Sequence, residues 1–145
     1  MKAIVNDILR VNQEFYEAFS SSNLVMMRSV WADSNEIVCI HPGWSPLSGL
    51  ESVMASWDTI FRAQEQFEIR AVGEDVRISD SLAFVICGES VNREEATLIA
   101  TNIFRRTEYG WKLLHHHASP ILSDESFDSL ISEDITENED DSLLH

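Results

Sequence analysis

Residues 82–119 read LAFVICGESVN-REE-ATLIATNIFRRT-EYG-WKLLHHHAS. Three runs rich in Leu, Ile, Val, Phe and Thr are separated by Asn92-Arg93-Glu94-Glu95 and by Glu108-Tyr109-Gly110, links short enough to turn hairpins. They predict an antiparallel meander. Leu82, Phe84 and Ile86 alternate with Ala83, Val85 and Cys87, so this sheet is apolar on both faces. One face should pack on helices and the other needs a cover, for which a second copy of the chain, sheet against sheet, is the simplest supply. A homodimer through the outer sheet face is therefore expected.

Upstream, Phe67 to Ser79 is a further strand run whose apolar parity switches from Phe67, Ile69 and Ala71 to Val72, Val76 and Ile78 around Gly73. That switch predicts a bulge and a strong bend. The first half of the chain is helical instead. Ile4, Ile8, Val11, Phe15 and Phe19 recur at helical spacing up to Ser20-Ser21-Ser22, and Leu24, Met27 and Trp31 give a short second helix stopping near Asp33. Ser48 and Glu51 fit a capping box ahead of a third, with Leu50, Val53, Trp57, Ile60 and Phe61 as its buried stripe. Between the second and third helices lies Glu36-Ile-Val-Cys-Ile-His-Pro-Gly-Trp-Ser-Pro46, a strand run ended by a Pro/Gly turn that carries His41 and Trp44. The expected class is α+β, with three N-terminal helices in the concave face of a bent, mostly antiparallel sheet. The domain spans residues 1–122 and an acidic tail, 123–145, follows.

Net charge is −15 over 145 residues, and nine acidic residues with no Lys or Arg lie from residue 123 onward, which leaves the body with 16 acids against 10 bases. With no basic stripe to neutralise phosphates, neither nucleic acid nor an anionic membrane is expected as a partner. No apolar run approaches the ~20 residues of a membrane span, and Met1 to Arg10 lacks signal-peptide features, which predicts a cytoplasmic protein. Cys39 and Cys87 sit inside apolar strand runs and read as core thiols. In the tail, Phe127, Leu130, Ile131 and Ile135 keep helical spacing and predict a short docking helix.

Three strings, Phe15-Tyr-Glu-Ala-Phe-Ser-Ser-Ser-Asn-Leu24, Val38-Cys-Ile-His-Pro-Gly-Trp44, and Ala100-Thr-Asn-Ile-Phe-Arg-Arg106 leading to Gly110-Trp-Lys-Leu-Leu-His-His-His-Ala-Ser119, resemble the SnoaL-like branch of the nuclear transport factor 2-like (NTF2-like) superfamily. The resemblance covers about residues 5 to 120. It implies a cone-shaped scaffold with a pocket between helices and sheet, usually in a dimer. Isomerases, dehydratases, polyketide cyclases, hydrolases and non-catalytic association domains share that cone, so fold alone does not name a reaction. Compared with ketosteroid isomerase, His41 followed by Pro42 resembles the position of the general-base aspartate. Phe15 falls where that family carries an oxyanion-binding tyrosine, and Tyr16 lies one step away, roughly 100° around the helix.

Along the last strand Trp111, Leu113, His115, His117 and Ser119 share one parity. Because Trp111 and Leu113 are apolar, this parity predicts that His115 and His117 point into the cone, about 7 Å apart, and that His116 faces the dimer side. Asn102 shares parity with Ala100 and Phe104 and is placed to bond one of these imidazoles. His41, His115 and His117 are thus the candidate catalytic groups, and Trp44, Asn102, Trp57, Tyr16 and Phe15 the candidate ligand contacts. Of the carboxylates, Asp33 and Asp58 read as surface groups, whereas Glu89 lies in an apolar strand.

No Gly-rich phosphate loop, nucleophile elbow or paired-cysteine motif occurs, so no cofactor is expected, and no clear carboxylate accompanies the histidines as a metal ligand. Two readings follow. One is a cofactor-independent isomerase, dehydratase or cyclase using histidine acid/base chemistry on a small apolar or aromatic molecule. The other is a non-catalytic ligand-binding or protein-association module.

Overall fold

The computed structural model describes residues 1–63 and 67–122. The tail helix expected from Phe127 to Ile135 lies outside the described residues. Helix α1 (Lys2–Ser20) and α2 (Leu24–Val30) come first, then strands β1 (Val38–Ile40) and β2 (Leu47–Ser48), helix α3 (Leu50–Ala63), and strands β3 (Ile69–Ser79), β4 (Leu82–Val91), β5 (Leu98–Thr107) and β6 (Gly110–Pro120). The six strands form one sheet in the order β2-β1-β6-β5-β4-β3. Consecutive strands β3 to β6 pair antiparallel, as their short links require, and β1 joins β6 in parallel. This is the α+β NTF2-like cone. None of its helices is long and apolar enough to cross a membrane.

Each helix shows why it starts and stops. The Asn23 side chain accepts the Met26 amide and caps α2, and Ser22 at φ 51° turns the chain out of α1. At the end of α1 the Ser20 hydroxyl donates to Ile69 O (2.9 Å) and accepts from Ile69 N (2.8 Å), fastening the helix to the first residue of β3. The capping box expected at Ser48 and Glu51 is replaced by another arrangement. Ser48 belongs to β2, Gly49 (φ +86°) makes the turn, and Glu51 pairs with Arg28 of α2 at 3.1 Å. Helix α2 also ends earlier than Asp33. Trp31 is already extended and bridges Leu113.

Two irregularities shape the sheet. Gly73 (φ +64°) lies in a register shift between Val72 and Asp75, the bulge that the parity switch predicts. A second shift lies between β5 and β6, where Ile103 pairs with His115 but Phe104 pairs with Leu113. Leu114 is the extra residue. The core contains Ile8, Phe15, Met27, Val53, Trp57, Val85, Phe104 and Leu113, all fully buried between helices and sheet. On the opposite face Phe84, Ile86 and Ile99 are each 38–39% exposed.

Candidate functional site

The bulge at Leu114 decides which histidine enters the cone. Trp111 and Leu113 point inward as expected, but one extra residue then inverts the parity, so that His116 and Ala118 are buried. His115 is left half-buried and His117 exposed on the outer face. The inward placement expected for His115 and His117 is thus corrected in favour of His116, which is 1% exposed.

On the inner face Val85, Asn102, His116 and Cys39 occupy one row across four strands. Helix α1 lies over this row and contributes Asn12, Phe15 and Tyr16, all buried. Tyr16 lies one step around the helix from Phe15, yet α1 is covered over a wide arc and both side chains face inward. Phe15 lies 4.7 Å from the His116 ring and 5.6 Å from Trp57.

The hydrogen bonds assign a direction to each group. Asn102 Nδ2 donates to Asn12 Oδ1 (2.9 Å) and to Tyr16 Oη (3.1 Å), so its Oδ1 accepts from His116 Nδ1 at 2.5 Å. Asn12 Nδ2 donates onward to Glu74 (2.7 Å), and Tyr16 donates to Glu89 Oε2 (2.8 Å). With its proton on Nδ1, His116 presents a bare Nε2 lone pair 4.0 Å from Glu89 Oε2. Burial raises the Glu89 carboxyl to about 7 against the Tyr16 hydrogen bond, which lowers it. Burial, reinforced by the neighbouring histidines, drops His116 to about 3. Carboxylic acid facing neutral imidazole is the form this closed interior favours near neutral pH. Burial also carries Tyr16 well above its ordinary value and Cys87 to about 11, so neither supplies an anion.

A second polar group lies on the other side of Trp57. The Ser56 hydroxyl donates to Val53 O (2.6 Å) and therefore accepts from His41 Nε2 (2.9 Å), which leaves the His41 lone pair on Nδ1. Burial lowers His41 to about 4, so it too is neutral. Its ring is 4.7 Å from Trp57 and 4.8 Å from Trp44, which is 44% exposed and covers it. Trp57, 6.3 Å from His116, carries a buried Nε1–H with no partner among the described residues. The structure thus gathers His41, Trp44, Trp57, Phe15, Tyr16 and Asn102 around the core with His116 and Glu89, and leaves His115 and His117 outside. Among the described residues no group of three His, Cys, Asp or Glu could hold a metal ion. An open cleft of about 430 Å³ between α1 and β3, lined by Tyr16, Glu17, Glu68, Arg70 and Glu74, reaches this cluster at Tyr16.

The SnoaL-like domain profile matches residues 8–123. The chain belongs to the SnoaL-like family of the NTF2-like superfamily. A dehydratase candidate of the NTF2-like family from Streptomyces avermitilis is 32% identical and superposes with a TM-score of 0.76, over 84% of this chain and 99% of that one. A candidate calcium/calmodulin-dependent protein kinase type II association domain from Thiobacillus denitrificans is 34% identical with a TM-score of 0.67, over 77% and 93%. The F-box protein SKIP8 of Arabidopsis thaliana is 28% identical over 123 residues, 85% of this chain and 53% of that protein. The chain spans about half the length of this curated relative.

Sequence reasoning overlooked Asn12, Ser56 and the inward His116, and left Glu89 without a partner. Asn12 sits inside the apolar stripe of α1, beside Val11 and one turn from Phe15, and a lone amide at such a position is the signal that could have found it.

Proposed function

We propose that this SnoaL-like domain is a cofactor-independent enzyme of the isomerase or dehydratase type, acting on a small uncharged organic molecule by proton transfer between His116 and Glu89. The observation that carries the reading is the pair itself: an unbonded imidazole lone pair 4.0 Å from a buried carboxyl raised to about 7. In this reading His116 Nε2 accepts a proton from carbon while the Glu89 acid protonates the departing hydroxyl or the carbonyl oxygen. Asn102 fixes the tautomer of His116, Tyr16 steadies Glu89, and the free Nε1–H of Trp57 suits a ligand oxygen. His41 is a second neutral base across Trp57. With both histidines neutral and aromatic rings around them, the interior favours an uncharged apolar ligand. His115 and His117 take no step.

Incubation with small cyclic ketones and β-hydroxy ketones in D₂O, read by NMR, tests this. Wild type should exchange or eliminate, Glu89→Gln and His116→Gln should lose at least 100-fold, and His117→Ala should match wild type. Equal rates in all four proteins, or none above background across the panel, would refute it.

The second reading is an association module, supported by the exposed Phe84, Ile86 and Ile99 on the outer face. It predicts a homodimer by light scattering at micromolar concentration, converted to monomer by Ile86→Lys. A monomeric wild type would end it.

A further inference from the structure

We propose that His115 and His117 form a two-nitrogen chelate for a divalent transition-metal ion of the zinc, nickel or copper(II) kind on the outer face of the sheet. The bulge at Leu114 turns both rings to this face, where they lie 6.4 Å apart between centroids at an interplanar angle of 70°. A metal–nitrogen bond of about 2.1 Å puts each centroid about 3.2 Å from the ion, and a tetrahedral angle then sets the centroids about 5.3 Å apart. The pair is therefore about 1 Å too open, which a modest side-chain rotation closes. Since each ring turns freely about its own metal–nitrogen axis, the 70° angle is no obstacle.

The surroundings suit a cation. His115 pairs across the sheet with Ile103 and Val38, and His117 with Thr101 and Ile40, so no Lys or Arg stands directly opposite either ring. Strand β6 is hydrogen-bonded on both sides here, by β5 and β1, which holds the two Cα positions fixed. Imidazole nitrogens without carboxylates select zinc, nickel or copper(II) over magnesium or calcium. Two protein ligands leave the other positions to water, and affinity should be on the order of micromolar, short of a closed four-ligand site.

Titration calorimetry of the untagged full chain with NiCl₂ and with ZnCl₂, in a non-chelating buffer, is the test. Wild type should bind saturably at one ion per chain. His115→Ala and His117→Ala should each weaken binding at least tenfold, and His145→Ala should not. One ion per two chains with a doubled mass also supports the site and identifies the added ligands as the other copy's pair. His117 is exposed, so its variant should keep the wild-type circular dichroism. Binding that survives both substitutions, fails to saturate, or disappears in His145→Ala overturns the proposal.

Discussion

Replacing Glu89 by Gln removes the titrating proton while keeping an oxygen to accept from Tyr16, so the difference between the two proteins isolates the titration of one buried carboxyl. In the folded protein Glu89 holds its proton up to about pH 7, against 4.5 for the free side chain. Between those values the folded state binds one more proton than the unfolded state, which makes wild type lose stability as pH rises. The 2.5-unit gap corresponds to about 3 kcal/mol, all of it expressed above pH 7. His41 and His116 act in the opposite sense. Lowered from 6.5 to about 4 and about 3, they stay neutral in the fold while the unfolded chain protonates, so their contribution is present above 6.5 and is lost as pH falls. From pH 4.5 to 6.5 these three groups together therefore leave the unfolded state of wild type with a net one proton more, a contribution to the slope of about 1 kcal/mol per unit. In Glu89→Gln the contribution of the same groups rises to about 3 kcal/mol per unit. Wild type should be most stable near pH 6.5 and decline slightly toward 7, whereas the variant should rise to a plateau. Urea denaturation followed by tryptophan fluorescence, from pH 4.5 to 8.5, gives both curves. Parallel curves with a constant offset would mean that Glu89 titrates as it does in the unfolded chain, and its part as a neutral acid would be lost.

Other perturbations separate the inner from the outer face. Asn102→Ala strips partners from His116, Asn12 and Tyr16 together and should cost at least about 3 kcal/mol, whereas His117→Ala should stay within about 0.5 kcal/mol, both by urea denaturation. If His117→Ala is the costlier, the parity of β6 has been misassigned. Tyr16→Phe removes the hydrogen bond that lowers Glu89, so the carboxyl should titrate still higher, visible in the ¹³C shift of labelled glutamate, at a stability cost of about 1–3 kcal/mol. A Cβ at Gly88 would lie 2.9 Å from Ala96 Cβ and 3.0 Å from a Val72 methyl, so Gly88→Val should lower the melting temperature through about 1–3 kcal/mol of overpacking.

Helical stripes and hairpin links made the elements legible in the sequence, and Gly73 announced its own bulge because the parity of the flanking residues changed around it. The bulge in β6 gave no such notice. Leu113 and Leu114 are both apolar, so inserting one residue between inward positions leaves the hydrophobic pattern unaltered, and three identical histidines then hide which of them has moved. The polar network was illegible for a different reason. Its bonds join Tyr16 to Glu89, and Asn12 and Tyr16 to Asn102, 73 to 90 residues apart, and no local pattern couples residues at that distance.

The same silent insertion divides the histidine run between the two proposed roles. A regular strand continued from Leu113 would put His115 and His117 inside the cone, two imidazoles with no carboxyl partner identified, and leave one ring outside, too few to chelate. With Leu114 inserted, a single imidazole goes inward, where Asn102 sets its tautomer and Glu89 faces its lone pair, and two remain outward side by side. Acid/base work requires one oriented base beside an acid, and metal chelation requires two nitrogens on one face. Deleting Leu114 should therefore keep both arrangements, since plain alternation from the inward Leu113 then places His115 outward, His116 inward and His117 outward, and loss of proton transfer together with metal binding in the deletion would refute this account of the bulge.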